Sequence, residues 1–533
     1  MLFKNMDAVK ITIDGKEIET AREKTIIEAA ADAGISIPYY CYHPKLSIAG
    51  NCRMCLVEID KMPKLQIACN SKVNEGMVVK THSPQVLEAR KAIMEFLLIN
   101  HPLDCPICDQ AGECQLQNYY MEHSLMESHF LERKEHDRKR EAFGPHVLFD
   151  AERCIKCTRC VRFLEEVTRS DELTVANRGD RSTITLFPGK ILDNPLSANV
   201  NDICPVGALT DRDFRFKVRV WYLKTTPSIC PGCSTGCNIT IGSHQNRIAR
   251  FRPRINESVN SHWICDEGRY SFHPLTEGER LTTPLIRQEG GLAPSDWETA
   301  LEITLSGLRS ATPLAGLISG RNTNEEAFLF ARLMKMVSPQ AALEVFYQER
   351  DLTEVAKILM SPDRSPNFRG VREMGVDSNG DIDSWIQRLI EGKFRAAFIV
   401  GEDLSPLVPD EEKIKLALEK LSFLVVQDTH LTPVARLAHV VLPSTNFAEK
   451  EGTYTNRKGR VQKLNPALVP PGGTLQDWEI FSRLLEKAGE KMSSPRPHKI
   501  FHQISVEVPR YKGLSYSTIG DQGILPMSET DQS

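Results

Sequence analysis

No stretch of this chain approaches the ~18 consecutive apolar residues that a membrane-spanning helix needs. Its first residues, Met1-Leu2-Phe3-Lys4-Asn5, lack the basic-then-apolar order of a secretory signal. These two absences place the chain in the cytosol, with any membrane link made through partner subunits. It also lacks a surplus of basic charge. A net charge of −4 leaves no electrostatic footprint for nucleic acid. No glycine-rich dinucleotide fingerprint joins a strand-like run to a helix-like one. Cysteine is missing from both ends, with none before Cys41 and none after Cys265.

Between those points all 15 cysteines are concentrated. Their number is odd, and closely spaced thiols in a reducing compartment serve metals or catalysis more often than disulfides. They form four groups: Cys41, Cys52, Cys55 and Cys69; Cys105, Cys108 and Cys114; Cys154, Cys157, Cys160 and Cys204; Cys230, Cys233, Cys237 and Cys265. The second group is one ligand short, and His101 stands four residues before Cys105 to supply it. The reading is four sites of four ligands, with no thiol left over.

Each spacing has its own chemistry. Alternating Val9, Ile11 and Ile13, then Asp14-Gly15 and Ile18, predict a hairpin, and residues 25–33 a short helix ended by Gly34. This small α/β unit leads into the first group, which has the logic of a plant-type [2Fe–2S] loop with a longer first gap. Gly50 is expected to let backbone amides approach sulfur. Four thiolates can also hold zinc. Ser83 and Pro84 start a helix with an apolar stripe from Val86 to Leu98, which delivers His101 to the second group. There imidazole would replace one thiolate on iron and shift its potential. His43 is read as an ordinary polar residue, because the first group already has four thiols. The charged stretch 119–143 reads as a solvated helix or connector without chemistry. Cys154-x2-Cys157-x2-Cys160 with remote Cys204-Pro205 is the [4Fe–4S] triplet of bacterial ferredoxins. Residues 218–223 look strand-like. The fourth group, tightened by Pro231-Gly232 and Gly236, suits [4Fe–4S], with zinc again a possible occupant.

From about residue 280 the pattern alternates. Asp296 caps a helix through Trp297, Ala300, Leu301 and Leu305. Residues 314–319, 396–400 and 423–426 read as buried strands, and 325–337 and 411–421 as helices. Continuous apolar strands between helices predict a parallel sheet covered on both faces. Gly401-Glu402-Asp403 and Gln427-Asp428 fall just past strand ends, where such folds place ligands, although plain loops account for them as well. Residues 509–533 lack periodicity and read as an extended tail.

The run His101-Pro102-Leu103-Asp104-Cys105-Pro106-Ile107-Cys108-Asp109-Gln110-Ala111-Gly112-Glu113-Cys114 and the run Arg153-Cys154-Ile155-Lys156-Cys157-Thr158-Arg159-Cys160-Val161-Arg162-Phe163 resemble the G-subunit family of NADH–quinone oxidoreductase (respiratory complex I), whose mitochondrial form is the 75 kDa iron–sulfur subunit. The resemblance covers essentially the whole chain. It implies an α/β multidomain fold. A [2Fe–2S] ferredoxin-like (β-grasp) domain at 1–82 would be followed by a [4Fe–4S] domain with one histidine and three cysteine ligands at 83–122, and by a ferredoxin-like [4Fe–4S] domain at 123–219. A further [4Fe–4S] domain at 220–280, a shortened molybdopterin-oxidoreductase-like α/β domain at 281–508 and a tail at 509–533 would complete it. It implies one [2Fe–2S] cluster on Cys41, Cys52, Cys55 and Cys69. Three [4Fe–4S] clusters would follow, on His101, Cys105, Cys108 and Cys114, on Cys154, Cys157, Cys160 and Cys204, and on Cys230, Cys233, Cys237 and Cys265. The last occurs in some bacterial members, lies off the main electron route and points to a bacterial source.

The implied function is relay of electrons from a flavin- and NADH-binding subunit, through other peripheral-arm iron–sulfur subunits, toward quinone. In the complex this is coupled to proton translocation, on the cytoplasmic side of the inner membrane. No catalytic side chain is required here. An NAD-linked formate dehydrogenase subunit is the alternative. Against it, Glu267 stands where catalytic relatives commonly carry lysine, no cysteine after Cys265 can bind molybdenum, and the remainder is short for two pterin dinucleotides, so no molybdopterin is expected. An iron-only hydrogenase subunit would need further cysteines, and a zinc-stabilised scaffold is the rival of a different class. The segment from Ala438 to Ser444 and the loop from Gly452 to Asn456 are read as scaffold.

Overall fold

The computed structural model describes residues 8–125, 127–347, 349–378, 381–492 and 495–526, in two compact units, Met1–Tyr222 and Leu223–Ser533. The first five residues, on which the signal argument rests, and residues 527–533 of the expected tail lie outside the described residues.

The first unit opens with the hairpin. Strand Ala8–Ile13 pairs antiparallel with Lys16–Ala21. Asp14 and Gly15 both take positive φ, 48° and 81°, as a two-residue turn matched to strand twist requires. Val79 from strand Val78–Lys80 lies beside Ile13 in parallel register. The resulting five-stranded sheet also holds Leu56–Ile59 and Gln66–Ile67. Helix Ile26–Asp32 starts from a Thr25/Glu28 capping box and buries Ile26, Ile27, Ala29 and Ala30 with Val9, Ile11 and Ile13 in one core.

Helix Pro84–Leu98 begins as its cap predicts, with the Val86 amide donating to Ser83 Oγ at 3.4 Å. Of its apolar stripe, Val86 and Met94 are buried, Ala89, Ile93, Leu97 and Leu98 are partly buried and Leu87 is exposed. The unit continues through short helices, Gln115–His123, Arg159–Phe163 and Asn199–Ile203. A three-stranded sheet orders Leu209–Asp211, Val147–Phe149 and Glu141–Ala142.

Residues 218–223 do not form the expected strand. Val220–Tyr222 is a turn of 3-10 helix, and the strand starts later, at Lys224–Ile229. Val220 and Trp221 instead pack over Gly112, where an added Cβ would meet them at 2.8 and 2.9 Å. Tertiary packing overrides the local alternation.

In the second unit, Lys224–Ile229, Asn238–His244 and Arg247–Pro253 make an antiparallel sheet. The larger sheet has seven strands, in the order Gly291–Pro294, Leu285–Gln288, Val440–Pro443, Phe423–Asp428, Ala396–Val400, Leu314–Ile318 and Ala342–Glu344. The last five run parallel, as the apolar strands predict. Both faces are covered. Ala396, Phe398 and Val400 enter one core, and Ala397 and Ile399 the other. Helix Trp297–Ser310 is capped by Asp296, and Asn324–Val337 by a Thr323/Glu326 capping box.

The tail is not extended over its described part. Tyr511 and Ile519 belong to the larger core, and Ile524 bridges to Val461. Each contact joins residues far apart in the chain, so local periodicity carries no trace of it.

Candidate metal-cluster sites

None of the cysteines is in a disulfide. Among the described residues no three His, Cys, Asp or Glu side chains converge as the shell of one ion would. A cluster makes a different demand, because its ligands are divided among two or four irons around a central body.

In the first group the thiols associate two by two. Cys41 shares a side-chain hydrogen bond with Cys52, and Cys55 with Cys69. Two irons with two thiolates each suit that pairing. The Cys52 contact is the main reason Cys41 is pulled down to about 5, against the opposing effect of burial; amides of Cys52 and Asn51 assist. Gly50 has φ +60°, and a Cβ on it would crowd Ile67 Cδ1 at 3.2 Å. Its neighbour Asn51 is the amide aimed at sulfur, as the sequence suggests.

Cys154, Cys157, Cys160 and Cys204 line one cavity with Phe149, Ile184 and Leu209. Cys230, Cys233, Cys237 and Cys265 line another with Leu359, Met360, Glu267 and Arg350. Two cavities, each with four thiols in its wall, fit the same kind of group. Burial pushes Cys154, Cys204 and Cys230 up to about 12 and holds Cys160, Cys237 and Cys265 well above the usual thiol range. Such thiolates are costly unless iron shares their charge. Lys156 and Thr158 take φ of 54° and 60°, a strain of about 1–3 kcal/mol each. In return the Lys156 amide points at Cys154 Sγ, 3.4 Å away, and the Arg159 amide at Cys157.

The fourth group is braced from afar within its own unit. Ser234 N donates to Asp363 O at 3.1 Å, Thr235 Oγ1 to Leu359 O at 2.9 Å, Asn456 Nδ2 to Thr235 O at 3.1 Å, and Gln462 Nε2 to Gly236 O at 2.9 Å. Gly268 lies so near that an added Cβ would stand 3.0 Å from Cys230 Sγ and 3.1 Å from Cys265 Sγ. Glu267 pairs with Arg350 and, at 3.8 Å, with Arg364. In the sequence Glu267 stands out only as the absence of a lysine; its two arginine partners are invisible there.

His101, Cys105, Cys108 and Cys114 line one large cavity. Burial lowers His101 to about 4, so its imidazole is neutral and able to ligate. Cys114 precedes helix Gln115–His123 and receives amides from Leu116 and Gln117. Three neighbours shape this site. Gly207 admits Cys108 Sγ, which would lie 2.4 Å from a Cβ there. Asp104 is held by Arg153 Nη2 at 2.6 Å and Lys139 at 3.4 Å. Lys134 closes the preceding helix by donating to the carbonyls of Leu98 and Ile99 at 2.6 and 2.7 Å. The connector read as having no chemistry thus positions the entrance to this site. His43 lies outside all four sets, with its Nδ1 accepting from the Lys45 amide.

The three sites of the first unit are joined. Arg162 Nη2 donates to Cys41 O at 2.6 Å and Cys157 O at 3.3 Å, and Asn51 Nδ2 to Lys156 O at 3.3 Å. On the other side of the ferredoxin-like loop, Gln115 N donates to Pro205 O at 3.0 Å. Hydrogen bonds thus tie the Cys154 group to both the Cys41 group and the His101 group.

At the carboxyl ends of the parallel strands the structure is more than plain loops. Lys450 is buried between Glu326 at 2.9 Å and Asp477 at 3.2 Å, and Gln427 Nε2 donates to Asp477 at 2.6 Å. Asp428 is pushed up to about 6 by burial. Among the described residues no helix is long and apolar enough to cross a membrane.

Five family models match in chain order: a 2Fe-2S iron-sulfur cluster binding domain over 6–84, the NADH-ubiquinone oxidoreductase-G iron-sulfur binding region over 90–129 and the NADH-quinone oxidoreductase subunit 3 ferredoxin-like domain over 144–210. The molybdopterin oxidoreductase Fe4S4 domain follows over 223–273, and molybdopterin oxidoreductase over 355–487. The mitochondrial NADH-ubiquinone oxidoreductase 78 kDa subunit of Neurospora crassa is 32% identical over 91% of this chain and 81% of its own length. The NADH-ubiquinone oxidoreductase 75 kDa subunit of Reclinomonas americana is 30% identical, over 97% and 94%. The G subunit of the NADH-quinone oxidoreductase of Rickettsia felis is 40% identical, over 66% and 53%. With [2Fe–2S] and [4Fe–4S] binding domains in this order and two relatives aligned along 81% and 94% of their own length, the chain belongs to the family of NADH–quinone oxidoreductase G subunits and their mitochondrial 75–78 kDa counterparts.

Proposed function

We propose that this chain is the iron–sulfur relay of an NADH–quinone oxidoreductase, taking electrons from a flavin subunit that oxidises NADH and passing them toward quinone. It holds one [2Fe–2S] cluster on Cys41, Cys52, Cys55 and Cys69. It holds [4Fe–4S] clusters on His101, Cys105, Cys108 and Cys114, on Cys154, Cys157, Cys160 and Cys204, and on Cys230, Cys233, Cys237 and Cys265. Neighbouring subunits of the complex flank it, on the cytoplasmic side of the membrane. The observation that carries the reading is the hydrogen bonding of the Cys154 group to both the Cys41 and the His101 groups, which supports its being the middle of a three-site relay.

The clusters supply one-electron chemistry; the chain supplies ligands, insulation and electrostatics. Thiols, buried or partly buried except for the exposed Cys105, and a neutral His101 present the donors. Amides of Asn51, Lys156, Arg159 and Leu116 stabilise charge on sulfur. Apolar walls of Phe149, Ile184 and Leu209 exclude water from the middle site.

The formate dehydrogenase alternative is not favoured. The crevice at the strand ends, where such folds place ligands, is occupied by the chain's own Lys450, Glu326, Asp477 and Gln427. Glu267 is committed to Arg350. The molybdopterin-type domain serves as the brace of the fourth site.

Anaerobic quantitation of iron, sulfide and molybdenum, with low-temperature paramagnetic resonance, tests the proposal. One [2Fe–2S] and three [4Fe–4S] signals without molybdenum are expected. Stoichiometric molybdenum, or an iron-free protein carrying zinc, overturns it.

A further inference from the structure

Arg162 sits on helix Arg159–Phe163 and is 8% exposed. Its guanidinium donates to four oxygens: Thr158 Oγ1 at 3.3 Å, Ser47 O, Cys41 O at 2.6 Å and Cys157 O at 3.3 Å. A single nitrogen, Nη2, serves both cysteine carbonyls. Those cysteines come from different sites and are far apart in the chain.

A simple clip between the two loops exists without it. The Ser47 amide donates to Glu166 Oε2 at 2.7 Å, and Asn51 Nδ2 to Lys156 O at 3.3 Å. Neither of those contacts engages a cysteine. Arg162 does, twice, and its charge is buried where solvent screens it weakly. That charge favours the thiolate at both Cys41 and Cys157, as a minor contribution beside the Cys52 hydrogen bond at the first and burial at the second.

We propose that Arg162 is the positioning residue for electron transfer between the Cys41 and Cys154 sites. It holds both ligand loops in one frame, supplies a hydrogen-bonded path from Cys41 to Cys157 and places one positive charge beside both sets of sulfur. The inference rests on the ligand sets proposed above. One electron leaves one site and arrives at the other; no bond forms or breaks, and no proton leaves the guanidinium. A positive charge stabilises the more negative, reduced state, so its loss lowers both potentials.

The test uses the full chain as Arg162→Gln and Arg162→Lys. Iron and sulfide content and the two resonance signals of the unaltered chain check the ligand sets themselves. If those signals are absent there, the relay reading fails, independently of Arg162. Redox titration of each signal then checks the inference. Arg162→Gln is expected to shift both signals to lower potential together, and Arg162→Lys, which keeps the charge, to restore most of the shift. The magnetic interaction between the two reduced sites is expected to weaken in both variants, because neither can hold both carbonyls in one plane. Unchanged potentials, or a shift in one signal alone, overturn the proposal. If Arg162→Gln loses iron, Arg162→Lys decides. Retained signals with weakened interaction support the proposal; retained signals with unchanged interaction, or loss of iron here too, reduce Arg162 to a structural clip and overturn it.

Discussion

Gly207 approaches Cys108 so closely that a Cβ on it would lie 2.4 Å from the Sγ. The backbone that follows Cys204-Pro205 therefore forms a wall of the His101 site while presenting Cys204 to the middle one. Gly207→Ala forces the thiol aside, an overpacking cost of about 1–3 kcal/mol borne at a ligand. The expected result is loss of iron from the His101 site, read as disappearance of its resonance signal while the [2Fe–2S] signal persists.

His101 offers a neutral donor where the other three ligands of its set are thiols. His101→Cys is expected to keep the cluster, because the spacing is unchanged, and to lower its potential by on the order of 100 mV, since a thiolate adds negative charge. His101→Ala should lower iron occupancy at that site alone. Redox titration and iron analysis of the two variants check this.

The Glu267–Arg350 pair flanks the fourth site. Removing one charge leaves the other acting on the cluster. Glu267→Gln should raise that site's potential and Arg350→Gln lower it, each on the order of tens of mV given partial exposure to solvent. Signals from the first unit should stay in place. A shift of the same sign in both variants would contradict the electrostatic account.

The sites were more legible than their surroundings. Cysteine spacing marks ligands because iron clusters need sulfur at short, fixed intervals, and caps such as Ser83, Asp296 and the Thr25/Glu28 box are written within four residues. Continuous apolar runs at 396–400 and 423–426 announce a sheet buried on both faces. What the sequence hides is long-range. Arg162 is an ordinary basic residue until Cys41 is folded beside it. Gly207 looks like any loop glycine, and Lys134 and Lys139 like members of a solvated charge run. Val218, Arg219 and Val220 alternate like a strand, yet Val220 and Trp221 are spent covering Gly112. Tyr511 and Ile519 have no periodic neighbours, so nothing local shows that they enter a core.

Lys450 lies buried between Glu326 and Asp477. Burial opposes its charge, but the two carboxylates outweigh that and hold the ammonium charged. Lys450→Met strands both carboxylates and should cost about 3–5 kcal/mol. Chemical denaturation followed by tryptophan fluorescence should show it as a lower midpoint, with resonance signals of the first unit unchanged before unfolding.

Glu325 is pushed up to about 7 by burial, while accepting hydrogen bonds from Thr453 and Tyr516. Its neutral form is the one the fold prefers. Its contribution is therefore complete below the ordinary carboxyl value near 4.5 and is lost as pH rises through about 7, a difference of about 3 kcal/mol. Glu325→Gln should flatten the pH dependence of stability across that window, even though the amide replaces an acceptor of the Thr453 amide and lowers stability overall. Denaturation midpoints between pH 4.5 and 8 would decide.

The bracing of the 230–237 loop by Leu359, Asp363, Asn456 and Gln462 sets a timetable for biogenesis. While the chain emerges from the ribosome, the ligands of the first three sites are all out by Cys204, and their described supports by Trp221. The fourth set is out by Cys265, but the first braces of its loop, at Leu359 and Asp363, come about a hundred residues later and the last, at Asn456 and Gln462, about two hundred. Metal loading in two episodes is the expected consequence, and a polypeptide interrupted before Asn456 should carry its relay centres while leaving the last one incompletely braced.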